Sequence, residues 1–162
     1  MSFHIRPARR EDAETVFNLM AELNEYQDIP PGKITLEGLR RDLFECERPW
    51  ARVNLAVAPS PDGGEEVVGH ALYFVIFDAV TLQRVAYMED VYVRQAHRRR
   101  GIGVALWRSV VEQGLREGCD ASRLEVLGRN KEAVDFYAKR GAKDLTPAYN
   151  FQHYKLTWDV PV

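Results

Sequence analysis

Tyr87-Met88-Glu89-Asp90-Val91-Tyr92-Val93 and, a short turn later, Arg98-Arg99-Arg100-Gly101-Ile102-Gly103 carry a β-rich run straight into a glycine-rich helix start. The run extends back to Gln83. After Gly103, Val104, Ala105, Leu106, Ser109, Val110, Val111 and Leu115 keep helical spacing until Gly118 ends it. Ser122 to Leu127 reads as the next strand, so a strand, a crossover helix and a parallel strand are expected, with the right-handed connection such units take. A ligand is expected where those strand ends splay apart.

Upstream, Phe3-His4-Ile5-Arg6 alternates apolar with polar and stops at Pro7, which predicts a short first strand. From Asp12 to Tyr26 the residues Ala13, Val16, Phe17, Met20, Ala21 and Leu23 form a helical stripe. Ile29-Pro30-Pro31-Gly32 breaks it. Thr35 caps a second helix with Leu36, Leu39, Leu43 and Phe44 facing inward. Arg52 to Ala58 and Val67 to Phe77 are strands joined through Pro59-Ser60-Pro61-Asp62-Gly63-Gly64, and with Gln83 to Val93 they form three antiparallel neighbours. Downstream, Asn130 caps a helix holding Ala133, Val134, Phe136 and Tyr137 that ends at Gly141, and Tyr149 to Trp158 alternates as a last strand.

The whole is a mixed sheet with helices, an α/β (α+β) arrangement without repeat or linker, so residues 1–162 are taken as a single domain. Its 162 residues are 46% hydrophobic and 28% charged, the balance of a soluble domain that needs no staple. A net charge of -2 argues against a nucleic-acid or membrane binder driven by overall charge. Cys46 and Cys119 stand outside any metal-like spacing, so neither a disulfide nor a metal site is expected. With no signal-peptide pattern and no apolar stretch that would span a bilayer, a reducing cytoplasmic or nuclear setting is the default.

At Arg98 to Gly103 the helix start leaves backbone N–H groups without an intrahelical acceptor, and the helix dipole adds partial positive charge. Glycines 101 and 103 keep side chains out of the way, so the turn suits a pyrophosphate. It is not a P-loop, because no Gly-Lys-Ser/Thr follows, nor a dinucleotide fingerprint, because the third glycine is missing.

Taken with Asn130 and Phe136-Tyr137, this segment resembles the acetyl-CoA site of the GNAT superfamily of N-acetyltransferases. Within the superfamily the chain looks most like the diamine (spermidine/spermine) and thialysine acetyltransferases. Four stretches carry the resemblance: Ile5-Arg6-Pro7-Ala8, Tyr87 to Val93, Arg100-Gly101-Ile102-Gly103, and Asn130 with Phe136-Tyr137-Ala138-Lys139-Arg140-Gly141-Ala142. The resemblance implies the GNAT fold, a twisted mixed sheet of about six to seven strands flanked by about four helices. It implies acetyl-CoA as acyl donor, no metal, a small-molecule amine as acceptor and a homodimer. Backbone groups of Val91, Tyr92 and Val93 would line the pantetheine arm like an added strand. Arg99, Arg100, Gly101, Ile102, Gly103 and Val104 would hold the pyrophosphate, while Asn130, Lys131, Glu132 and Ala133 would flank the same cosubstrate.

An alkylammonium with a pKa of about 10 must lose a proton before it can attack a thioester. Glu89 is the candidate base, matching the carboxylate implicated in binding and deprotonating the amine in the diamine enzymes; its plainer reading is an exposed strand carboxylate. Tyr137 matches the tyrosine that hydrogen-bonds or protonates the departing CoA thiolate; its plainer reading is packing beside Phe136. Amide groups freed by a bulge near Val91 would meet the developing oxyanion. The acceptor side would draw on Tyr26, Gln27, Glu89, Asp90, Arg123, Leu124 and Glu125. Gln27 stands where the diamine enzymes carry Glu, and Asp78-Ala79-Val80 where they carry Asp-Pro-Trp. Both changes disfavour spermidine and favour a shorter or less charged amine such as thialysine, and Arg123 would repel a polycation. A protein N-acetyltransferase is an alternative acceptor class. A non-catalytic nucleic-acid patch built on Arg94 and Arg98 to Arg100 is a remoter one. His4, His70, His97 and His153 are scattered and read as structural or solvated, and Trp50, Trp107 and Trp158 as packing or interface residues.

Overall fold

The structure is a computed structural model that describes residues 2–150. It falls into two compact units, Met1–Glu125 and Val126–Val162. The first unit contains β1 (His4–Pro7), a 3-10 turn (Arg10–Asp12), α1 (Ala13–Tyr26) and α2 (Leu36–Arg40), which runs on as a π-helical turn through Arg41–Glu45. It continues with β2 (Arg52–Pro59), β3 (Glu65–Asp78), β4 (Gln83–Val93), a 3-10 turn at Gln95–His97, α3 (Ile102–Arg116) and β5 (Ala121–Leu124). The second unit holds α4 (Lys131–Ala138) and α5 (Thr146–Tyr149).

The strands lie in the order β1-β2-β3-β4-β5, antiparallel except for the parallel pair β4 and β5. The mixed sheet and the strand–helix–strand unit around α3 are as the sequence predicts. Five strands are found among the described residues against the expected six to seven. The expected last strand, Tyr149 to Trp158, lies outside the described residues from 151 onward, and Tyr149 itself ends α5, a helix the sequence pattern did not announce.

Alternation along the strands sends Val53, Leu55, Val57, Leu72 and Tyr92 to the face covered by Val16, Leu19 and Leu23 of α1. Leu19 and Leu55 are fully buried, each worth about 1.5–3 kcal/mol in water removed from apolar surface. The opposite face carries α3, where Ser109 receives a hydrogen bond from Asn54 at 2.9 Å. With both faces covered, β2 is buried without interruption from Val53 to Ala58. The Ile5-Arg6-Pro7-Ala8 stretch holds the fold together at its edge. Arg6 pairs with Asp12 through two hydrogen bonds of 2.6 and 2.8 Å, tying β1 to the start of α1. That pairing holds the Asp12 carboxyl below its ordinary pKa.

Gly69 sets the spacing of β3 against β4. A Cβ there would lie 2.5 Å from the Tyr92 carbonyl oxygen and 3.4 Å from Leu106 of α3. Because the obstruction is backbone, Gly69→Ala is expected to cost about 1–3 kcal/mol, the usual range for overpacking, read as a lower urea midpoint with an unchanged slope.

Candidate active site

Two irregularities at the C-terminal end of β4 build the site. Across β3, Leu72 opposes Asp90 and Tyr73 opposes Met88, so Glu89 is an extra residue with no opposite partner, a β-bulge. On its other edge β4 pairs with β5 only from Val85 to Met88. The bulge re-aims the strand at the residue where the parallel pairing stops. This explains why β5 ends at Leu124 although the pattern of apolar residues extends to Leu127. From Glu89 to Val93 the strand continues without β5 beside it, and Val91 and Val93 lie on this stretch. An edge of that kind is a template for an extended, amide-bearing chain.

The turn that follows supplies the second half. Arg99 has φ 62° and Gly101 has φ 83°, both left-handed, and Gly101 is the N-cap of α3. A Cβ built on Gly101 meets nothing within 4 Å, so the glycine serves the backbone conformation and leaves the space in front of the helix open. Ile102 is buried and anchors the first turn, where the amides of residues 102 to 104 have no intrahelical acceptor. These features fit an anion such as a pyrophosphate.

The arginines divide into two sets. Arg98 is turned inward: its Nε donates to the Val93 carbonyl at 2.9 Å and its guanidinium lies 4.3 Å over the Tyr26 ring and 5.9 Å from that of Tyr92. Arg94 binds Glu22 of α1, at 2.7 Å at its closest, and the Val67 carbonyl at 3.0 Å. Arg99 and Arg100 are exposed beside the turn. His97 sits 3.1 Å from Glu66, a further tie on the same turn. Arg94 and Arg98 are thus spent on internal contacts, which removes half of the basic patch on which the nucleic-acid alternative rests.

Glu89 is exposed as a residue, yet its carboxyl is drawn above the ordinary carboxylate range, first by partial burial and then by the charges of Asp90 and Glu125. Tyr87 is pushed up to about 12 by burial, by a hydrogen bond to Glu125 and by the charges of Glu125 and Glu89. Glu89, Asp90 and Glu125 therefore share one acidic neighbourhood. Arg123 on β5 does not act as the unopposed cation expected from sequence: it pairs with Asp78 at 3.4 Å. Asp78 also accepts the Val80 amide at 2.9 Å, so it belongs to the β3–β4 turn and is not a spare carboxylate for an amine. Tyr26 closes α1 and Gln27 is its C-cap, while Leu124 ends β5.

In the second unit, the Asn130 side chain accepts from the Ala133 amide at 3.1 Å, the cap that the sequence predicts, and Lys131 and Glu132 form the first turn of α4 with Ala133. Phe136 and Tyr137 meet edge to face, centroids 5.0 Å apart, and Arg140 stacks on Phe136. Among the described residues no three His, Cys, Asp or Glu side chains gather as a metal site, and no helix is long and apolar enough to cross a membrane.

Residues 19–142 match the profile of the acetyltransferase (GNAT) family. The chain belongs to this family. It is 37% identical over 156 residues to a thialysine N-epsilon-acetyltransferase of Sus scrofa, covering 94% of this chain and 91% of the relative. It is 31% identical to the spermidine/spermine N(1)-acetyltransferase-like protein 1 of Homo sapiens, covering 89% of this chain and 21% of that longer protein. Among solved structures, an aminoglycoside acetyltransferase from an uncultured soil metagenomic sample superimposes with a TM-score of 0.72 over 97% of both chains, at 18% identity. The GNAT fold and an N-acetyltransferase activity follow, with acetyl-CoA as the donor the family implies.

Sequence reasoning missed the stacking of Arg98 on Tyr26, the neutralisation of Arg123 by Asp78, and a buried histidine, His70, 3.6 Å from Asp90. Each joins residues far apart in the chain that share no spacing. Gly101→Ala is expected to cost about 1–2 kcal/mol, the penalty of a left-handed alanine, and to weaken acetyl-CoA binding, measured by thermal unfolding and by titration calorimetry.

Proposed function

We propose that this acetyltransferase transfers an acetyl group from acetyl-CoA directly to the primary amine of a small molecule of the thialysine or short-diamine class, in a ternary complex. The observation that carries the reading is Glu89: the unpaired residue of the β4 bulge, at the point where β4 and β5 part, with a carboxyl whose pKa is raised. Identity to the thialysine enzyme over nearly the full length supports the acceptor class. So does Gln27, a neutral residue where the diamine enzymes carry an acid. Free amines are favoured over peptides on the same grounds.

In this reading Glu89 takes the proton of the ammonium, directly or through water, and Asp90 and Glu125 add negative charge that holds the cation before it is deprotonated. A raised carboxylate pKa moves Glu89 toward neutrality and makes it a better base than an ordinary surface Glu. Acetyl-CoA brings an activated acyl group. Backbone N–H groups near Val91 stabilise the negative charge developing on the carbonyl oxygen, the edge from Val91 to Val93 lines the pantetheine arm, and the α3 turn from Arg99 to Val104 grips the pyrophosphate; that Asn130 to Ala133 flank the same cosubstrate rests on the family resemblance. Tyr137 hands a proton to the thiolate, a role that rests on its match to the superfamily tyrosine on the helix opened by Asn130. A cytoplasmic homodimer completes the proposal, by resemblance to the diamine enzymes; two free cysteines, Cys46 and Cys119, suit a reducing compartment.

Glu89 works as a base only when ionised, and its pKa lies above the ordinary value, so kcat/KM should rise with pH through that raised pKa. Glu89→Gln is expected to lose this limb and to depress turnover of thialysine most above that pKa, where wild-type Glu89 is ionised and the amine is still protonated; a wild-type profile would remove Glu89 from the role. Tyr137→Phe is expected to lower kcat by about tenfold to a hundredfold with acetyl-CoA affinity unchanged, as read by thiol release and calorimetry.

A further inference from the structure

His70 lies in the middle of β3 with no exposed surface, on the apolar face that α1 covers. Neither ring nitrogen has a hydrogen-bond partner, an arrangement that costs free energy wherever it persists. The register explains what the ring faces. His70 opposes Tyr92 and Leu72 opposes Asp90, so His70 and Asp90 are diagonal neighbours on one face of the sheet. Nε2 of His70 stands 3.6 Å from Oδ2 of Asp90, just beyond hydrogen-bond length. Asp90 is the residue after the bulge, and its side chain retains 21% exposure while the imidazole retains none. One carboxylate oxygen therefore faces the buried ring, while the side chain as a whole still reaches solvent.

The other polar groups around the ring are already engaged. Tyr92, its cross-strand partner at 6.1 Å between ring centroids, places its hydroxyl 3.4 Å from Glu22 of α1. Glu22 in turn is held by Arg94. Leu55, opposite His70 on β2, is apolar. Among the described residues, Asp90 is left as the carboxylate within reach of the imidazole.

We propose that His70 is a positioning residue for the acceptor: its Nε2–H donates to Asp90 and fixes that carboxylate beside the β4 bulge, so that the second oxygen meets the incoming ammonium. This rests on the reading of Glu89 and Asp90 as the amine-binding pair. A small rotation of Asp90 closes the 3.6 Å gap and satisfies the buried donor and the acceptor together. The role is one of orientation: His70 is sealed from solvent and touches neither substrate nor donor.

Three single variants, one double variant and one spectrum test it. His70→Phe keeps the ring's bulk and is expected to raise the KM for thialysine about tenfold, the loss of one hydrogen bond to a charged group, with kcat and the KM for acetyl-CoA within about twofold. His70→Gln, whose amide can donate from nearly the same place, is expected to recover most of the loss. Asp90→Asn should raise KM similarly, and adding His70→Phe to it should cost nothing further, because the two act as one unit. An unchanged KM in His70→Phe, or additive losses in the double variant, would overturn the proposal. Should His70→Phe fail to fold, the nitrogen-15 resonances of the His70 ring decide: in the folded protein they are expected to report a protonated Nε2 and to move on Asp90→Asn, and no movement refutes the contact. This spectrum is independent of turnover. A shifted resonance in a protein that does not acetylate thialysine would sink the acceptor assignment and uphold the contact.

Discussion

The parting of β4 from β5 at Glu89 is the constraint on which the site depends. Parallel strands in register would satisfy each other's backbone groups to their ends, leaving no edge for a ligand. One extra residue at position 89 re-aims β4, pairing with β5 stops at Met88, and five further residues of β4 run on without it. The same residue is the candidate base. Backbone geometry and acid–base chemistry are therefore joined in one position: the irregularity that opens the sheet also sets a carboxylate at the opening.

The surroundings of that bulge are tightly held. Arg94 ties the end of β4 to α1 through Glu22, and Arg98 ties the next turn back to Val93 while stacking on Tyr26. Gly69 lets β3 approach the carbonyl of Tyr92 at a distance no side chain permits. A rigid base on either side is what lets a left-handed Arg99 and Gly101 direct the first amides of α3 outward, since such backbone conformations persist only when their neighbours over-determine them.

Charge at the site follows the same logic. Partial burial first, and then the mutual repulsion of Glu89, Asp90 and Glu125, raises the pKa of Glu89, and burial together with Glu125 and Glu89 holds Tyr87 firmly neutral. A cationic acceptor relieves that repulsion on binding, transfer of its proton neutralises Glu89, and release of that proton to water restores the starting charge, a cycle suited to an enzyme that must take up an ammonium and release an amide. Arg123 does not spoil the balance, because Asp78 at the end of β3 answers it across to β5.

Local signals in the chain were enough for the three antiparallel neighbours β2 to β4, the strand–helix–strand unit through α3, the helix caps at Thr35 and Asn130, the α3 turn and the family, because propensity, capping and glycine placement act over a few residues. Glu89 and the bulge were legible only together with the family resemblance, since nothing in Tyr87 to Val93 marks which residue is unpaired. The pairing of Arg98 with Tyr26, of Arg123 with Asp78 and of His70 with Asp90 belonged to the tertiary structure alone. These contacts span tens of residues, and strand register, which a one-residue bulge shifts, decides which side chains share a face. The physical reason is range: short-range preferences choose the elements, while long-range packing chooses the partners of their charges.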